Sequence, residues 1–246
     1  MYKEERLSEI LELLRENGYV TVNFLVKQIH SSPASIRRDL TALEKDGYAK
    51  RSYGGASYVA DGDSVSVPYM LRRYKYKREK NIIAKKAAAL INDGDMIFID
   101  NSTTASYLTP YLLEKKNITV MSNNITLVTA LAQRGVSVLC TGGEVRGQNA
   151  LFGPLAENAF SSMRADIGFF SSFGLSRKGE ILETSSAEHY RKLTEHSDKR
   201  VYLCNEEKVG AKAHYCVMTL ADVDVVVSDG DIRSELEVQF DNVEFI

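Results

Sequence analysis

The sequence predicts an α/β chain in two parts: three short helices closed by a strand hairpin, then a mostly parallel sheet covered by helices. Three observations lead there. Apolar residues in the first 45 positions recur at helical spacing in three separate blocks. From residue 96 onward, six short runs rich in apolar, β-branched or aromatic residues (MIFID, ITVMS, SVLC, DIGFFSS, RVYLC and DVVVSD) alternate with stretches of helical spacing. The 246 residues are enough for two modest domains, each able to bury its own core.

Composition narrows the function classes. No apolar run approaches the roughly 20 residues that span a bilayer. The first ten residues, MYKEERLSEI, carry charges where a secretory signal needs an apolar core, so the expected location is the cytoplasm. Cys140, Cys204 and Cys216 are odd in number and far apart, so neither a disulfide framework nor a zinc ribbon is expected. His189, His196 and His214 lack the carboxylate or cysteine spacing of a metal site, and no metal or cofactor is expected. Charge is uneven: residues 1–80 hold 15 Lys and Arg against 11 Asp and Glu, and the remainder 16 against 22. Such an excess is usually a solvated surface, but it directs attention to the N-terminal third.

In the first block Leu7, Ile10, Leu11 and Leu14 share one helical face, and Asn17-Gly18 supplies the stop. After a short Tyr19-Val20 bridge, Thr21 caps a second helix whose Val22, Leu25, Val26 and Ile29 form its apolar stripe, ending near His30. Ser31 or Ser32 caps a third, with Pro33 where the first helical N–H groups lack partners anyway. Ile36, Leu40 and Leu43 form its buried stripe, which turns Arg38 outward with Ala34, Thr41 and Lys45, and leaves Arg37 on its flank. YAKRSYGGASYV then reads as two short strands joined at Gly54-Gly55, bringing Lys50 and Arg51 to the same side. Three helices with such a turn suit a helix-turn-helix, whose recognition helix meets base edges with its N-terminal residues. An arginine fork binds guanine or clamps a phosphate, whereas lysine offers a point charge. The plain alternative is that Arg37 and Arg38 pair with Asp39, Glu44 or Asp46 on a solvated surface.

Residues 1–58 resemble the winged helix-turn-helix of the DeoR-type family of bacterial transcriptional regulators. The resemblance rests on SSPASIRRDLTALEKDGYAKRSYGGA, where Ser35 stands for a usual threonine and Tyr53 for a usual histidine. It implies that Ser32, Ser35, Arg37, Arg38, Thr41 and Arg51 face a double-stranded DNA operator. The expected divisions are 1–60 for the DNA-binding domain, 61–74 for a linker and 75–246 for an effector domain. The linker reading rests on Ala60-Asp-Gly-Asp-Ser-Val and on Pro68. The basic run RRYKYKREK, residues 72–80, reads as the solvated start of a helix carrying Ile82, Ile83, Ala87 and Leu90. The family places an arginine and a Glu-Lys pair around Arg73, Glu79 and Lys80, so no separate DNA arm is assigned.

In a parallel sheet the segments after each strand gather at the carboxyl edge, where ligands bind. Here they are Asn101-Ser102-Thr103-Thr104, Asn123-Asn124, Thr141-Gly142-Gly143, Phe173-Gly174, Asn205-Glu206-Glu207-Lys208 and Asp229-Gly230. Ser102, Thr103 and Thr104 lie at a strand-to-helix junction, which favours an anion such as phosphate. Lys208 offers a compensating charge, and Asn123 with the Gly142-Gly143 backbone suits hydroxyl groups. Capping, a simple turn and a surface lysine are the plain alternatives.

From about residue 75 the chain resembles the effector domain of the same family, which is similar to ribose-5-phosphate isomerase. The carried motifs are STT, SNN, TGG and the segment from Asp166 to Gly174. Asn205 stands for a usual aspartate and Asn101 for a usual glycine, while Ser186 and Tyr190 stand where many relatives have Glu and Lys. The resemblance implies a regulator, more a repressor than an activator, that senses a phosphorylated sugar and assembles as a dimer or tetramer. The rival is an isomerase-like enzyme, which needs a carboxylate as general base. Phe170 and Phe173 occupy the places of the isomerase's two aspartates, so no catalytic residue is assigned and the chain is not expected to be an enzyme.

Overall fold

In this computed structural model the described residues are 2–59, 69–147, 149–184 and 188–246, apart from the side chain of Met70. They form two compact units, Met1–Lys77 and Arg78–Ile246. Ala60 to Pro68, the heart of the expected linker, and Ser186 lie outside the described residues.

The first unit contains α1 (Lys3–Asn17), β1 (Tyr19–Thr21), α2 (Val22–Ile29), α3 (Pro33–Lys45), β2 (Ala49–Ser52), β3 (Gly55–Tyr58) and α4 (Tyr69–Tyr74). Ile10, Leu11, Leu14, Leu25, Ile29, Ile36, Leu40 and Leu43 form one core, as their spacing predicts. Gly18 ends α1 with φ +69, and Thr21 Oγ1 caps α2 by accepting the Phe24 N–H at 3.1 Å. His30 closes α2 in the left-handed region.

Two features differ from expectation. Tyr19-Val20 is not a simple bridge but part of β1, which pairs antiparallel with β3 and makes the hairpin a three-stranded sheet in the order β1-β3-β2. The turn residues of the hairpin are Tyr53-Gly54, since Ser52 pairs with Gly55. Gly55 is required because a Cβ there would collide with the Val20 carbonyl and the Tyr19 ring. Residues 69–74, expected as linker, are helical: Leu71 joins the first core, and its carbonyl accepts the Ser8 hydroxyl at 2.9 Å. The basic run after it divides at Tyr76, and Lys75 and Lys77 bond Glu12 and Glu5 of α1 at 2.8 and 3.0 Å.

The second unit begins within α5 (Lys77–Ala88), whose first residue closes the first unit, and runs β4 (Met96–Ile99), a 3-10 turn (Ala105–Leu108), α6 (Thr109–Leu112), β5 (Thr119–Ser122), α7 (Ile125–Ala132) and β6 (Ser137–Cys140). There follow β7 (Glu144–Arg146), β8 (Ala150–Phe152), α8 (Pro154–Ser161), β9 (Ala165–Phe170), β10 (Gly174–Leu175), β11 (Glu180–Glu183) and α9 (Glu188–Glu195). The chain ends through β12 (Ser197–Leu203), a 3-10 turn (Glu206–Lys208), β13 (Tyr215–Thr219), β14 (Val225–Val227) and β15 (Glu244–Phe245). The six predicted runs are β4, β5, β6, β9, β12 and β14, joined by β15 in a sheet ordered β15-β14-β12-β9-β4-β5-β6. Every neighbouring pair is parallel.

Both faces are buried, so side chains alternate between two cores. Ile97, Ile99, Val120, Ile167, Phe169, Val201 and Leu203 pack on the face covered by α5, α6 and α7. Phe98, Met121, Phe170 and Tyr202 pack on the other, against α8, α9 and residues of a second sheet, β10-β11-β13. That antiparallel sheet and the β7-β8 hairpin were not expected from sequence. The strand order reverses between β4 and β9, and the carboxyl ends of these two strands form the switch point of the fold.

Candidate functional site

The outward face of α3 begins at its cap. Ser32 Oγ accepts the Ser35 N–H at 3.2 Å and lies 2.9 Å from Ser35 Oγ, with Pro33 at the first helical position. Arg37, Arg38 and Thr41 are exposed, while Ile36 and Leu40 on the opposite side are sealed. Asp39 is only 1% exposed and is bound by Arg6 of α1, with Nε–Oδ2 and Nη2–Oδ1 distances of 2.5 and 3.2 Å. Glu44 Oε1 accepts the Arg51 N–H at 2.9 Å. Two of the carboxylates available to the paired arginines are therefore engaged elsewhere, and among the described residues no ion pair holds Arg37 or Arg38. Arg51 reaches the same face from β2: its Nη1 donates to Thr41 Oγ1 at 2.9 Å, and the Thr41 hydroxyl donates to the Arg37 carbonyl at 2.9 Å. Tyr53 stands fully exposed at the hairpin tip.

In the second unit a fully buried carboxylate joins the two switch-point strands. Asp100, directly after β4, accepts the Ser102 N–H on Oδ1 and the Ser171 N–H on Oδ2, both at 3.1 Å. Burial pushes this carboxyl up to about 7, against the pull of those amides and of the Lys208 charge. Lys208 Nζ donates to Ser171 Oγ and to the Ser172 carbonyl, each at 2.7 Å. Glu183 accepts the Phe173 N–H at 3.0 Å and the Tyr190 hydroxyl at 3.1 Å; burial raises its pKa while Lys208 lowers it. One ammonium thus lies in the field of a fully buried carboxylate, Asp100, and a half-buried one, Glu183.

The expected residues meet only in part. Ser102 and Lys208 converge on the switch point through Asp100 and Ser171. Asn123 follows β5, one strand farther, and its Nδ2 donates to Asn101 Oδ1 at 3.3 Å. Gly142 and Gly143 follow β6, the edge strand, both with positive φ, and a Cβ on Gly143 would lie 2.5 Å from the Phe152 carbonyl. Ser102-Thr103-Thr104 opens a 3-10 turn and the four-residue α6 rather than a full α-helix, so the expected helix dipole is small. Ser102 Oγ caps that turn through the Ala105 N–H at 3.0 Å, and Thr103 and Thr104 are buried. Among the described residues, the N–H groups of Thr103 and Thr104 make no hydrogen bond.

Family profiles match nearly the whole chain. Residues 6–61 match the DeoR-like helix-turn-helix domain, and residues 75–230 the DeoR C terminal sensor domain. The chain belongs to the DeoR family. It is a DNA-binding transcriptional regulator, and the relatives it matches are named as transcriptional repressors. Its relatives include the glycerol-3-phosphate regulon repressor of Escherichia coli strain K12, 30% identical over 93% of this chain and 92% of that one. The HTH-type transcriptional repressor GlcR of Bacillus subtilis strain 168 is 28% identical over 93% of this chain and 89% of its own. Among solved structures, a D-ribose-5-phosphate isomerase in complex with phospho-erythronic acid matches with a TM-score of 0.41, at 13% identity over 54% of each chain.

Sequence reasoning on this DeoR-family protein missed Asp100 and Glu183. Asp100 closes the MIFID run and reads as a strand-ending residue; only the adjacency of β4 and β9 shows that it links two loops. Phe170 is fully buried and Phe173 half exposed, and neither phenyl ring has a proton to exchange; two carboxylates flank Lys208 by other routes. His189, buried against Phe152 and Tyr190, is an aromatic-packed core residue whose pKa burial lowers to about 4. Among the described residues no helix is long and apolar enough to cross a membrane.

Proposed function

We propose that this chain is a repressor of sugar-metabolism genes whose hold on a double-stranded operator is controlled by a phosphorylated sugar in the C-terminal unit. The observation that carries the reading is the outward face of α3: two exposed arginines with no ion pair among the described residues, beside a capped helix start, with Arg51 joining them through Thr41. In this reading Arg38 reads a base edge or clamps a phosphate, Arg37 and Arg51 take backbone phosphates, and Ser32, Ser35 and Thr41 supply hydroxyl contacts. Relatives named as repressors of the glycerol-3-phosphate regulon and of a lactose phosphotransferase system support the sugar-phosphate class. A homodimer or tetramer, reading two half-sites, would supply the contacts that one small unit lacks.

The effector's anion is assigned to the switch point, with the Thr103 and Thr104 N–H groups, Ser102 and Lys208 around it, and with Asn123 and the Gly142-Gly143 backbone toward its hydroxyls. For release from DNA, the effector must bind the operator-competent and incompetent arrangements unequally. Footprinting on promoter fragments, followed by a screen of phosphorylated sugars for release, tests the whole reading. One promoter protected and then freed by one sugar phosphate is the expected result; indifference to every promoter fragment removes it. Lys208→Ala is expected to leave operator affinity unchanged and to blunt release, and induction at wild-type concentrations would reject the anion assignment.

A further inference from the structure

We propose that the β6 edge of the main sheet, together with the outward face of α7, is where a second copy of this chain docks across a two-fold axis; the inference rests on the homo-oligomer proposed above. The two edges of the sheet differ. β15, at one edge, is two residues long and carries an exposed glutamate, Glu244, a common guard against another strand. Among the described residues β6, at the other, pairs only with β5, and its Ser-Val-Leu-Cys run has neither charge nor proline. Residues 117–143, which supply β5, α7 and β6, hold a single charge, Arg134, in a chain that is 26% charged.

The helices show the same contrast. α5 and α9 expose Arg78, Lys85, Arg191 and Glu195, as solvated helices do, whereas α7 exposes Thr126, Thr129 and Ala132. α7 lies against β5 and β6, so the uncharged helix face and the unguarded strand edge are neighbours. Depletion of charge on an exposed surface is the compositional mark of an interface core. A four-residue strand is about 13 Å long, too small alone for the roughly 800 Å² that each side of a standard interface buries. The helix face must therefore take part.

Backbone geometry points to the occupant. The Thr141 N–H donates to the Ser122 carbonyl at 3.3 Å, and residues alternate along a strand, so Val138 and Cys140 turn their N–H and C=O groups away from β5. A two-fold axis at Leu139 lets Val138 exchange both bonds with the partner's Cys140, and Cys140 with the partner's Val138, so that one strand complements itself. The same register brings Arg134, which has no ion pair among the described residues, toward the partner's Glu144, exposed beyond the other end of the strand. It buries no charge and sets unlike charges at both ends, the complementarity of a strand meeting its own copy. Gly142-Gly143, assigned above to the effector's hydroxyls, directly follows β6, so the ligand loop and the interface share one strand.

Light scattering on the full chain tests this. Wild type is expected at twice the 27.5 kDa of one chain, or a multiple of that. Across the axis the two Cys140 side chains are diagonal neighbours, about 7 to 8 Å apart. Cys140 is exposed, so Cys140→Lys and Cys140→Glu each set like charges there without touching the core. Each variant is expected at half the wild-type mass, and an equimolar mixture of the two at the full mass, which a misfolded chain could not regain. Leu139 faces its own copy at a Cα separation of about 4.5 Å, within disulfide reach. Leu139→Cys, combined with Cys140→Ser and Cys216→Ser, is therefore expected to form a covalent dimer under mild oxidation. Variants that keep the wild-type mass, or halve it and fail to recombine, overturn this face and leave the oligomer reading standing. A monomeric wild type removes both, while footprinting judges the DNA reading separately.

Discussion

Asp100 and His189 are buried titratable groups whose environments act in opposite directions. The Asp100 carboxyl rises from 3.8 to about 7, so the native state binds the extra proton between those values. Its contribution to stability is intact below about pH 4 and is lost as pH rises through 7. His189 falls from 6.5 to about 4, so the unfolded state binds more proton in that window; its contribution is present above 6.5 and is lost as pH falls. Urea midpoints between pH 4.5 and 8 are expected to show Asp100→Asn gaining on wild type as pH rises and His189→Phe flattening the acid limb. Unchanged slopes in both variants would show that neither group titrates as its burial demands. On the reading face, Arg38→Ala is expected to weaken specific operator binding by about 1 to 3 kcal/mol, or to lower the salt slope by about 1 if the residue holds a phosphate. Anisotropy titrations at several salt concentrations separate the two.

At the scale of elements, α3 is held in place by more than its apolar stripe. Asp39 is on the core side of the helix, and its pairing with Arg6 ties α3 to α1. Removing one partner of a buried pair leaves the other uncompensated, so Asp39→Ala is expected to cost about 3 kcal/mol, less than a fully sealed pair because Arg6 keeps some access to water. Ser32→Ala removes the helix cap and is expected to cost about 1 kcal/mol. Denaturant unfolding of the full chain checks both, and a loss under half of either figure would reassign the residue to the surface. The helices of this unit were legible because their stripes, caps and stops are local. β1 was not: three residues carry no periodicity of their own, and Tyr19-Val20 becomes a strand only by pairing with β3. The same holds for β7, β8, β10 and β15, each two or three residues long and defined by a partner.

Across the whole molecule, the parallel sheet fixes which loops meet. Its reversal between β4 and β9 puts the ends of these strands side by side, and Asp100 bridges them through Ser102 and Ser171. Lys208 then closes the loop after β9 onto the turn after β12. The proposed effector control requires that this arrangement differ between the DNA-bound and free states, and binding of an effector here is expected to raise the melting temperature of wild type but not of Lys208→Ala. An equal increase in the variant would separate Lys208 from binding.

The sequence alone determined the two-part organisation, the three helices and cationic face of the first unit, six strands of the main sheet and the family. These features depend on residues close in the chain, where helical and strand periods, caps and turns carry the physics. Only the tertiary structure decided that Asp39 is tied to Arg6, that Ser102 caps a short turn, and that Asp100, Glu183 and Lys208 share one electrostatic neighbourhood. Burial and charge coupling arise when segments remote in sequence are packed together, and no local pattern encodes which of them will meet.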